Sequence, residues 1–175
     1  MTRLERFNRC IKGPWTTSGL DVQWRWKDNV LTFQCTRSGQ DWAFDLMAFT
    51  AKVNGDRVHA GFASLWLSVV HDIDEAVGDA EGFAIEGYSL GGALTQIACR
   101  HFRDRMVQAT VFGSPKVFAS KVVIDNLENI QVHGDLVTLL PPWFHNAGTR
   151  IRLGKKPFLP SPLLHAPEAY RNALS

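Results

Sequence analysis

Apolar residues recur at two spacings along the chain, and the switches between them mark most of its elements. Leu4, Phe7 and Ile11 stand three or four positions apart, which predicts a short amphipathic helix stopped by Gly13-Pro14. Val22, Trp24 and Trp26 then alternate with polar residues. Lys27-Asp28-Asn29 reads as a turn and Val30 to Cys35 as a second strand, so this stretch predicts a hairpin. Phe62, Leu65, Trp66, Val69, Val70, Ile73 and Val77 repeat as the buried stripe of a helix, with Gly78 at its end.

Beyond Gly78, short apolar runs and helical patterns take turns. Phe83 to Tyr88 reads as a strand, and Leu90 to about Arg103 as a helix with Leu94, Ile97, Ala98 and Phe102 on one face. Val107 to Phe112 is a further strand, a helix is expected before Leu127, and Ile130 to His133 is a strand again. Such alternation argues for an α/β fold, a central and mostly parallel sheet flanked by helices, with the opening hairpin as an antiparallel edge. From Pro141 onward Pro and Gly are frequent, which predicts long loops and a short terminal helix near Glu168 to Ala173 rather than more sheet. No repeat or linker divides the chain, so residues 1–175 read as one domain.

Composition narrows the possibilities. A 45% hydrophobic content with a net charge of +2 excludes a disordered chain. No run approaches the ~18 apolar residues of a membrane span, so no transmembrane segment is expected. Without a dense basic arm, nucleic acid is not an expected partner. Cys10, Cys35 and Cys99 form no CxxC pair, which indicates neither a disulfide framework nor a zinc site. No HExxH or comparable spacing is present, so no metal is expected. Charges at Arg3, Glu5, Arg6, Arg9 and Lys12 leave no apolar core for a secretory signal. The chain as written therefore reads as cytoplasmic, and secretion would need a leader already removed.

Gly87-Tyr88-Ser89-Leu90-Gly91 fits GxSxG between a strand and a helix, the setting of a nucleophile elbow. A serine on so tight a turn has strained backbone angles, and its glycine neighbours permit close packing. The helix that follows directs its first N–H groups toward a developing oxyanion, which makes the Leu90 N–H a candidate donor. A phosphate-binding helix start is the competing reading, but the Walker lysine is missing.

An elbow serine takes its acid and then its base from later in the chain. Asp135, just past a strand end and Gly134, is favoured over Asp125 and Glu128, which fall in or near the helix expected before Leu127. Among the histidines, His59, His71 and His101 precede the elbow or lie on its helix, and His133 is too close to Asp135. His145 and His165 both remain open, with His165 favoured by its loop-rich surroundings.

At this point the chain resembles the class 3 lipases, the fungal-type triacylglycerol lipases and related esterases of the α/β-hydrolase superfamily. The resemblance is carried by Phe33-Gln34-Cys35-Thr36 with Asp41-Trp42 and Asp45-Leu46, by Val58-His59-Ala60-Gly61-Phe62, and by the GxSLGGAL run around Ser89. Phe112-Gly113-Ser114-Pro115, Asp135-Leu136-Val137 with Leu140-Pro141-Pro142, and His165 with Tyr170 extend it. It implies a compact α/β-hydrolase fold with Ser89 as nucleophile, His165 as general base and acid, and Asp135 as the residue orienting His165. It also implies an oxyanion hole of Thr36 and Leu90, and a structural His145. Where the family's FRGT segment has Arg and Gly, this chain has Gln34 and Cys35, and Tyr88 stands where a histidine often precedes the nucleophile.

The implied activity is serine ester hydrolysis, as a lipase or esterase acting on acyl esters through an acyl-enzyme, with no cofactor. A phospholipase and a short-chain soluble esterase are alternatives, and an inactive hydrolase-fold binding module is the rival of another class. The apolar residues Trp42, Phe44, Leu46, Met47 and Phe49 read either as a lid over the site or as core packing. From Leu136 to Pro167, Arg150, Arg152, Lys155 and Lys156 stand without any acidic residue beside Trp143, Phe144, Phe158 and Leu163-Leu164. This stretch reads either as a solvated basic loop or as a surface for transient contact with an anionic lipid interface.

Overall fold

The computed structural model describes residues 1–34 and 49–175. The expected amphipathic helix forms at Arg3–Ile11 (α1), with Thr2 and Glu5 in a reciprocal capping box. Thr16–Ser18 (β1), Val22–Lys27 (β2) and Val30–Phe33 (β3) pair antiparallel. Asp28 and Asn29 both adopt positive φ (52° and 59°), the backbone that a two-residue hairpin turn demands. Thr50–Val53 (β4) and Asp56–His59 (β5) make a separate hairpin before the long helix Ala60–Val77 (α2).

Phe83–Tyr88 (β6), Leu90–His101 (α3) and Met106–Phe112 (β7) follow as expected, Leu127–Val132 (β8) starts three residues before the expected Ile130, and Thr149–Leu153 (β9) completes the sheet. The strand order is β1-β2-β3-β6-β7-β8-β9, parallel from β3 to β9. Helices α2 and α3 cover one face, while α1 and the terminal helix Pro167–Leu174 (α4) cover the other. The sheet is thus mostly parallel and flanked by helices, with its antiparallel strands at one edge.

Two expectations are overturned. No helix precedes Leu127: residues 113–126 run as an extended connection, in which Phe118 bridges to Val58 and to His145. Phe118 and Val117 are fully buried there, so their apolar spacing reports packing over α3 and not helical periodicity. The region after Pro141 also contains more sheet than expected, since β9 pairs with β8 over five positions. As an edge strand it leaves Thr149, Arg150 and Arg152 exposed, and the alternation that identifies a half-buried strand is faint.

Candidate active site

Strand β6 delivers Ser89 to its carboxyl end, and α3 begins at the next residue. Ser89 holds φ 57° and ψ −124°, a conformation that a side-chain-bearing residue adopts only where surrounding structure enforces it. That enforcement is close packing. A Cβ on Gly87 would run into the Gly91 carbonyl, and one on Gly92 would lie 2.9 Å from the Ser114 Cβ. A Cβ on Gly91 would strike the Phe33 carbonyl and reach within 3.0 Å of the Gln34 carbonyl carbon. The end of β3 therefore lies directly against the first turn of α3.

The serine is clamped by its backbone. Its N–H donates to the Phe112 carbonyl at 2.9 Å, and its own carbonyl accepts from Gly92 N–H at 2.9 Å. Leu90, as the first helical residue, has no carbonyl one turn back to take its N–H, so that donor suits an oxyanion. Thr36, the other expected donor, lies outside the described residues, as do Cys35 and most of the apolar stretch 41–49. Gln34, immediately before them, ties its N–H to the Gln23 carbonyl at 3.0 Å.

Asp135 and His165 arrive from farther along. Gly134, at φ 82°, turns the chain at the end of β8, and its carbonyl accepts the Ser161 N–H at 2.8 Å. This contact folds the later loop back, and a short 3-10 turn at Pro162–His165 presents the histidine. The imidazole then lies between its two partners, with Nε2 2.7 Å from Ser89 Oγ and Nδ1 2.8 Å from Asp135 Oδ2. Because a carboxylate only accepts, Nδ1 carries the proton, and Nε2 is left to accept from the serine hydroxyl. Ser89 and Asp135 are each 1% exposed, while the His165 side chain between them is 16% exposed.

Two tyrosines support the pair. Tyr170 Oη donates to Asp135 Oδ2 at 2.6 Å and accepts the Val132 N–H at 3.3 Å, while the Val137 N–H reaches Asp135 Oδ1 at 3.0 Å. Burial and the facing Asp135 carboxylate push the Tyr170 phenol well above its ordinary value, so it remains a donor. Tyr88 stacks on the His165 ring at 5.3 Å, and its hydroxyl donates to the His165 carbonyl. Phe7 of α1 stacks behind Tyr170 at 5.6 Å and meets Tyr88 edge-on.

The remaining candidates stand elsewhere. His145 lends its backbone to a bridge with Phe118, accepting the Val117 N–H at 3.0 Å. His59 caps α2, its Nδ1 accepting the Gly61 N–H at 3.2 Å, and its ring packs between Phe62 and Phe144. Asp125 is exposed, and Glu128 faces Arg3 at 2.8 Å. The sequence shows Tyr170 five residues after His165, but its reach to Asp135 depends on the folded path of α4.

A family model of class 3 lipases matches residues 30–145, about two thirds of the chain. Among solved structures, the lipase of Rhizopus microsporus var. chinensis aligns at TM-score 0.60 and 21% identity, over 82% of this chain and 61% of that one. Lip2 lipase of Yarrowia lipolytica aligns at 0.61 and 18%, over 87% and 78%. Rhizomucor miehei lipase, in its propeptide complex, aligns at 0.60 and 20%, over 82% and 56%. This chain thus spans 61% and 56% of the Rhizopus and Rhizomucor chains. At such identities these alignments establish a shared fold, and the matching family model, which runs from β3 through the nucleophile turn to His145, establishes kinship: the chain belongs to the class 3 lipase family.

Proposed function

We propose that this protein is a serine carboxylic-ester hydrolase, a lipase or esterase acting on acyl esters and most naturally on lipids. The observation that carries the reading is the continuous hydrogen-bonded relay from Ser89 through His165 to Asp135. In the proposed reaction His165 Nε2 takes the Ser89 proton as Oγ attacks the ester carbonyl, and Asp135 stabilises the imidazolium. The Leu90 N–H receives the oxyanion, with Thr36 as the second donor on the strength of the family resemblance. Collapse expels the alcohol, which takes its proton from His165, and leaves an acyl-enzyme. Water, deprotonated by the same imidazole, then releases the acid. No cofactor enters any step.

A serine-directed fluorophosphonate probe tests the reading. Labelling of the parent chain and loss of labelling in Ser89→Ala is the expected result, with hydrolysis of a soluble ester falling at least about 10³-fold. Absent labelling, or labelling unchanged in Ser89→Ala, points instead to an inactive hydrolase fold that serves as a binding module. Rates across acyl lengths, on monomeric esters, emulsified glycerides and phospholipids, separate a lipase from a short-chain esterase and a phospholipase.

A further inference from the structure

The segments following β8 and β9 bring in Asp135 and His165, and they also carry large apolar side chains facing solvent. Phe158 is 99% exposed and Leu163 80%, and Leu159, Trp143 and Leu139 are exposed as well. Phe158, Leu159 and Leu163 project from a fixed rim. Pro157 and Leu164 both pack on Gly134, where a Cβ would lie 2.9 Å from Pro157 Cδ and 3.1 Å from Leu164 Cδ1. Leu164 turns inward to the cluster holding Tyr88 and Phe112, while its neighbour Leu163 turns out. Leu139 ends the short turn after Asp135, which Thr138 Oγ1 fastens by donating to the Asp135 carbonyl at 2.8 Å.

The charge around this rim has one sign. Lys155 and Lys156 are exposed beside Phe158, and Arg150 and Arg152 are exposed on edge strand β9. No Asp or Glu occurs from Leu136 to Pro167. Among the acidic groups flanking this stretch in sequence or structure, Glu128 pairs with Arg3, Asp135 with His165 and Tyr170, and Glu168 with Arg171. Asp125 lines a groove whose wall also holds Lys116, Lys121 and Arg150.

We propose that Lys155, Lys156, Phe158, Leu159 and Leu163 form a surface that docks the protein on an anionic lipid bilayer. Aromatic and leucine side chains standing clear of the fold can enter the interfacial layer, and lysines on their flank meet negative headgroups. The same rim frames the carboxyl edge of the sheet, so docking turns the edge bearing Ser89, Asp135 and His165 toward the lipid. Its use in delivering substrate rests on the ester-hydrolase reading, whereas the docking itself does not.

The test is co-sedimentation of the full Ser89→Ala chain with vesicles of phosphatidylcholine alone, or of equal parts phosphatidylcholine and phosphatidylglycerol, at low and high salt. Binding should favour the mixed vesicles and weaken with salt. Lys155→Gln with Lys156→Gln should lower affinity for the mixed vesicles about twentyfold, at a few-fold per lysine. Phe158→Ser with Leu163→Ser should weaken binding to both vesicle types, and thermal melts should match the parent because both side chains lie outside the core. Binding indifferent to phosphatidylglycerol and salt, or variants binding like the parent, would overturn the proposal. So would a dimer that Phe158→Ser abolishes in a chain that ignores vesicles, since the rim would then serve a second copy. Ser89→Ala cannot turn over an ester, so failure here leaves the hydrolase reading intact, and a failed fluorophosphonate reaction leaves the docking result intact.

Discussion

On the face covered by α2 and α3, the sheet presents Phe33, Ile85, Ala109 and Val111 to Trp66, Val69, Leu94 and Ile97, one contiguous apolar core. On the opposite face, the same neighbouring strands present Thr32, Glu86, Thr110 and Glu128, aligned by register into a polar row. Helix α1 covers that row with arginines: Arg9 near Glu86 at 3.5 Å, Arg6 on Thr110 at 3.0 Å and Arg3 on Glu128 at 2.8 Å. The difference divides the labour of the site. Non-directional burial seats α3, and with it the serine turn. Directional hydrogen bonds from Tyr170 and Tyr88, backed by Phe7, aim the carboxylate and the imidazole.

Emptying the apolar face should have the largest effect. Trp66→Ala removes a 1%-exposed indole and should cost about 3–5 kcal/mol, with activity falling only as the folded fraction falls. Chemical denaturation followed in parallel with ester turnover checks this coupling. Tyr170→Phe strikes the other face and should uncouple the two readouts. It keeps the ring but withdraws the donor from Asp135, so stability should drop about 1–2 kcal/mol. Turnover should drop roughly ten- to a hundredfold at similar KM, because the imidazole loses its fixed aim. Equal losses in Tyr170→Phe and Trp66→Ala at matched stability would erase the distinction between the faces.

Glu86→Gln sharpens the contrast by a smaller amount. Burial pushes the Glu86 carboxyl up, against the pull of Arg9, Arg6 and Arg25. A carboxyl raised in the folded state binds its proton more tightly folded than unfolded, so stability declines as pH rises from the unfolded value through the folded one. Glu86→Gln should abolish that decline, and its advantage over the parent should grow from acid to neutral pH in thermal melts. Glu128 behaves oppositely, since Arg3 holds its carboxyl low and the pair's modest contribution is lost as pH falls.

The sequence was most legible where structure is local. The positive-φ turn at Asp28-Asn29, the stripe of α2 and the elbow around Ser89 each follow from a few consecutive residues. The β4–β5 hairpin carries an equally local signal, Asn54-Gly55 between its strands. The polar row could not be read, because Thr32, Glu86, Thr110 and Glu128 become neighbours only through register between parallel strands. The Ser89–His165 contact spans 76 positions, and chain order could only reduce the base to two histidines; the family resemblance chose His165.

Helix α1 carries one more consequence. Three residues of α-helix rise about 4.5 Å, and adjacent strands lie about 4.8 Å apart. Arg9, Arg6 and Arg3 therefore step across β6, β7 and β8 in near-commensurate stride, one cation per strand, with the helix axis crossing the strands. A single residue inserted between Arg3 and Arg9 would put the two lattices out of phase, and Phe7 would no longer fall behind Tyr170. The helix is in effect indexed to the sheet.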